Sequence, residues 1–128
     1  MKKIVLILCV IVFSVGSGYG KKDPAPKTWS GYLMDKMCSK RMVGKHEKMA
    51  KHSKTCLTEE TCAATGYGIM IEKKFIPFDE QGNILAAKYL ATAKKESDFQ
   101  IEVTGKLSKN KIIVKELKEK DLLSVAKP

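Results

Sequence analysis

Hydrophobic positions along this chain change rhythm from one end to the other. Ile4 to Val15 is apolar throughout except for Ser14. Trp29 to Asp35 reads as a first strand. Met37 to Glu60 loses the alternation and becomes polar, lysine-rich and helix-permissive, with Gly44 as an interruption. Gly66-Tyr67-Gly68 then opens a second strand over 69–72, and Lys73-Lys74 turns the chain into a third over 75–78. Asp79 to Asn83 reads as a loop. Ile84, Leu85, Ala87, Tyr89, Leu90 and Ala91 recur as one face of a short helix over 84–95, for which Asn83 is a suitable cap. Phe99, Ile101 and Val103 alternate, and after Ser108-Lys109-Asn110 the chain returns through 112–117, a hairpin pattern.

The predicted order is strand, insertion (36–65), strand, strand, helix, strand, strand. The fold class this implies is mainly β (α+β). Five strands with a helix between the third and fourth match a small OB-like barrel, in which the helix plugs one end. A different small α+β meander is the alternative.

The N-terminal apolar run is 12 residues long, follows Lys2 and Lys3, and leads into Gly16, Ser17, Gly18 and Gly20. Charge, apolar span and small residues in that order make a secretory signal. A bilayer span needs roughly 20 apolar residues, which disfavours an uncleaved anchor. Cys9 lies inside the run with no small residue before it, which argues against lipidation. The expected organisation is a signal peptide over 1–20, a flexible leader over 21–28 and one domain over 29–128. The expected location is periplasmic or secreted, with no membrane segment left after cleavage.

Charge narrows the partners. The chain has 24 basic and 14 acidic residues, a net charge of +10, which becomes +8 once Lys2 and Lys3 are removed. Arg41 is the only arginine. Nucleic-acid binders lean on arginine for phosphate and base contacts, so with export predicted nucleic acid is excluded as a partner. A protein or cell-envelope partner stays open.

Chemistry concentrates in 34–62. That stretch holds both histidines, three of the four cysteines and four of the six methionines. Thiolate, imidazole and thioether suit Zn or Cu(I). His52 and Cys56 stand four apart, as on one helical turn, and Cys62 follows. One straight helix from Cys38 to Cys56 would separate its ends by about 27 Å, so Cys38 joins them only if the chain breaks near Gly44. The candidate metal ligands are therefore Cys38, His52, Cys56 and Cys62, with His46 in reserve. The alternative is a disulfide, Cys56–Cys62 or one involving Cys38, stapling a binding or adaptor module without metal. In that reading Tyr32, Tyr67 and Phe75 line a ligand face. Three mature cysteines leave one thiol over, which favours metal.

Catalysis has less support. No acid is clearly placed to orient His52, and Asp35 reads as the end of a strand. CxxC, CxxCH, P-loop and GxSxG patterns are missing from the sequence. The run 79–83 lacks the spaced acids of a calcium loop.

The run W-x-G-x-x-x-D-x-x-C (Trp29, Gly31, Asp35, Cys38), then H-x-x-x-C-x-x-x-x-x-C (His52, Cys56, Cys62), then Gly66-Tyr67-Gly68, resembles a group of short exported bacterial proteins of unsettled function. The resemblance implies an exported domain whose cysteines and histidine recur together as a unit. It implies no particular activity.

Overall fold

The computed structural model describes residues 25–121. The signal peptide predicted over 1–20 lies outside the described residues, as does the first part of the leader.

Among the described residues the fold is α+β: a five-stranded antiparallel sheet with five helices. The strands are β1 (Lys27–Asp35), β2 (Tyr67–Ile71), β3 (Lys74–Pro77), β4 (Gln100–Ser108) and β5 (Lys111–Glu119), in spatial order β3-β2-β1-β4-β5. Four short helices fill the insertion: α1 (Lys36–Met42), α2 (His46–Ala50), α3 (Lys54–Thr58) and α4 (Glu60–Ala63). The longest, α5 (Glu80–Thr92), joins β3 to β4. Among the described residues no helix is long and apolar enough to cross a membrane.

The sheet is open. Its edges, β3 and β5, meet beyond the end of β3 at one parallel bridge, Phe78 with Ile112, rather than through a continuous ladder. The number of strands, their order along the chain and the helix between β3 and β4 agree with the hydrophobic pattern; the barrel closed around that helix, expected from the same pattern, is not found, because β3 ends before it can form a ladder with β5. The leader also ends earlier than expected. Lys27 and Thr28 already pair with Gly105 and Thr104, because β4 is long enough to offer them backbone partners.

Alternation along β1 and β2 divides the interior into two cores. Leu33 opposite Ile69 and Asp35 opposite Tyr67 face one side; Tyr32 opposite Met70 and Met34 opposite Gly68 face the other. On the first side Leu33, Ile69, Ile101, Val103, Ile112 and Phe99 pack with Ala86 and Leu90 of α5. On the second, Met34, Met49 and Met70 form a smaller core with Tyr32, Cys38, Met42 and Phe75 against it.

Helix α5 starts four residues before the expected point. Asp79 is its N-cap, and its carboxylate Oδ1 accepts from the N–H groups of Gly82 (2.9 Å) and Val114 (3.1 Å). The polar run taken for a loop is thus the first turn of the helix. Gly82 fits there because Phe78 and Val114 leave no room for a Cβ. Asn83 is not the cap; its Oδ1 accepts from the Tyr67 N–H at 2.6 Å and ties α5 to the start of β2.

Candidate functional site

The insertion breaks where Gly44 takes a left-handed backbone (φ 72°), which a side chain would strain. This break lets the chain double back. Cys38 sits in α1 and Cys62 in α4, and backbone bonds bring these helices together. The Lys36 N–H donates to the Gly66 carbonyl at 2.9 Å, and the Met37 N–H to Thr65 Oγ1 at 3.3 Å. Thr65 Oγ1 in turn donates to the Cys62 carbonyl at 2.7 Å.

The outcome is a three-residue group at the end of β1. One ligand atom each from Asp35, Cys38 and Cys62 lies within 4.8 Å of the others, and the two sulfurs are 4.1 Å apart. Cys38, Cys56 and Cys62 are all free thiols. Asp35 is fully buried and doubly bound. It is the N-cap of α1, with Oδ1 accepting from the Cys38 N–H at 2.8 Å, while Oδ2 lies 3.2 Å from His52 Nε2. Burial pushes the Asp35 carboxyl up, but the His52 hydrogen bond and the Cys38 N–H outweigh it, and the carboxyl stays below its ordinary value. Cys38 goes the other way. Burial, followed by the nearby Asp35 and Cys62, pushes its thiol up to about 12.

Of the four residues read from the sequence as ligands, the structure brings Cys38 and Cys62 together. His52 is buried beside them as the partner of Asp35 and is not a member of the three-residue group. Cys56 is exposed and outside it. The reason is local. Ser53 caps α3, its hydroxyl accepting from the Cys56 N–H at 3.1 Å, so His52 precedes the helix that carries Cys56. The four-residue spacing therefore does not fall on one helical turn. His46 packs edge-on against Tyr32, with ring centroids 5.9 Å apart.

Asp35 ends β1, as its position suggests, but it is also the acid that meets His52, a partner the sequence did not place. The D-x-x-C spacing carries the signal, since an acid three residues before Cys38 places a carboxylate at N-cap and its acceptor at the Cys38 N–H. The three aromatics do not share one face. Tyr67 is buried and donates its hydroxyl to the Leu57 carbonyl at 2.7 Å, whereas Tyr32 and Phe75 pack against the methionine core.

Comparison with known proteins finds no matching family model, no matching curated protein and no matching solved structure.

Thiol accessibility follows from this arrangement. With the chain reduced, an alkylating reagent is expected to label the exposed Cys56 first, the half-buried Cys38 more slowly, and the buried Cys62 last, at the rate of local opening. Peptide mass spectrometry over a time course reads the order directly; equal labelling of all three would contradict the burial described.

Proposed function

We propose that this chain is an exported, non-enzymatic metal-binding protein that holds one thiophilic ion, Zn or Cu(I), at Asp35, Cys38 and Cys62. The observation that carries this reading is the pair of free sulfurs 4.1 Å apart beside a buried carboxylate. Metal bonds of about 2.3 Å at a tetrahedral angle would place two sulfurs about 3.8 Å apart, so little movement is needed to share an ion. A disulfide needs about 2.05 Å. His52 then acts on the site through Asp35, orienting the carboxylate as outer partners of metal ligands do.

Burial, Asp35 and Cys62 push the Cys38 thiol up to about 12, so the thiol is protonated before an ion arrives. A cation arriving between the sulfurs would replace those protons. The scaffold fits an OB-like reading: the order β3-β2-β1-β4-β5, with the edges bridged in parallel at Phe78 and Ile112, is a barrel order whose closure is slight. The same sulfur pair also supports the second reading, a binding module stapled by a Cys38–Cys62 disulfide.

The test is metal content and thiol state of protein recovered from the exported fraction, under non-reducing conditions. The expected result is one ion per chain, lost in Cys62→Ser and kept in Cys56→Ser. Metal-free protein with a mass two hydrogens lower, and Cys38 linked to Cys62, establishes the disulfide module instead.

A further inference from the structure

Resting on that metal reading, we infer that the site selects a soft monovalent cation, Cu(I), over Zn(II). Three observations point the same way. The first is the number of donors. A closed zinc site takes four ligands, but the group has three, two sulfurs and a carboxylate. The imidazole that would complete it engages Asp35 at 3.2 Å, and Cys56 is exposed elsewhere.

The second is spacing. With bonds of about 2.3 Å, two sulfurs stand about 3.8 Å apart at a tetrahedral angle and about 4.6 Å apart when linear. The observed 4.1 Å lies between these limits, so the pair reaches the open geometry of a low-coordinate ion with at most about 0.5 Å of further separation. Monovalent copper is satisfied by few soft ligands, whereas a divalent zinc ion here would need a fourth donor from outside the group.

The third is what surrounds Cys38. One side of it meets Asp35 and Cys62; the other packs on the buried core of Met34, Met49 and Met70, with Met42 alongside. Thioethers are polarisable and soft, and a sulfur-rich, dry wall favours Cu(I) over an ion that prefers oxygen and water. The methionine core lies on the opposite face of β1 from Leu33 and Asp35, and Cys38 packs against that core while its sulfur stands near Asp35 and Cys62.

The experiment uses the reduced full chain without oxygen. Cu(I), and Ag(I) as its redox-inert stand-in, are titrated against a chromophoric chelator, and Zn(II) against a metal indicator. One equivalent of Cu(I) or Ag(I) is expected to bind while Zn(II) is lost to the indicator. Replacing Met34, Met49 and Met70 by leucine should weaken Cu(I) binding about tenfold, the size of effect typical of groups around a ligand. Met49→Leu alone serves if the triple variant does not fold, and Met37→Leu, on an exposed residue, should change nothing. Zn(II) held as tightly as Cu(I), or Cu(I) affinity indifferent to the methionines, overturns the inference and leaves the metal reading intact. Binding of neither ion overturns both.

Discussion

Asp35→Ala is expected to lower the stability of the domain by about 3–5 kcal/mol, the loss typical of removing one partner from a buried pair. The side chain is fully buried, caps α1 through the Cys38 N–H and meets His52 Nε2 at 3.2 Å. Alanine would leave His52 buried without that partner and the first turn of α1 uncapped. Asp35→Asn keeps a good cap but not the charge, and should cost less, about 1–3 kcal/mol. Urea unfolding of the three proteins measures both; an alanine variant as stable as the wild type would remove Asp35 from the centre of the site. The same group sets an acid limit. Its carboxyl lies below its ordinary value in the fold, so the folded state binds that proton less readily than the unfolded chain. The contribution of Asp35 is therefore whole above the unfolded carboxylate value of about 4, and is lost as pH falls through the lower folded value. Asp35→Asn should flatten that part of the stability profile.

Phe99→Ala should be comparably damaging, about 3–5 kcal/mol for deleting a fully buried ring. Phe99 is 1% exposed and stands just before β4. Tyr89 of α5 meets its ring edge-on at 6.2 Å, the Lys95 ammonium lies 5.7 Å over it, and its carbonyl accepts from the Leu33 N–H at 2.8 Å. The ring thus links α5 to the central strand, and a cavity there loosens both. Phe99→Leu keeps most of the volume and should retain most of the stability. Thermal and urea melts distinguish these outcomes: equal losses for both variants would mean that the cost is not that of a cavity.

Much of the scaffold was legible because strand alternation is a local property. Leu33 and Ile69, Ile101 and Val103, Ile112 and Val114 alternate with polar or oppositely facing neighbours, and each pair lies where that period places it. The break at Gly44 was legible for the same reason, since one residue in a left-handed conformation suffices to end a helix. The start of α5 was not. Asp79, Glu80, Gln81 and Gly82 look like a loop in isolation, and only Val114 donating to Asp79, with Phe78 closing over Gly82, makes them a helix terminus.

The same division runs through the site. The sequence alone determined that thiol, imidazole and thioether groups gather between Met34 and Cys62, and that Cys38 could join the later ligands only if the chain bent, because residue type and helix length are intrinsic. It did not determine which of them meet. Cys38 meets Cys62 because the Lys36 N–H and the Gly66 carbonyl stitch α1 to the entry of β2. Cys56 faces out because the Ser53 cap restarts the helix after His52. Asp35 becomes the centre because register sets it opposite Tyr67, at the end of a central strand where water is excluded. A buried carboxylate must find donors, and the Cys38 N–H and His52 are the ones the tertiary structure supplies.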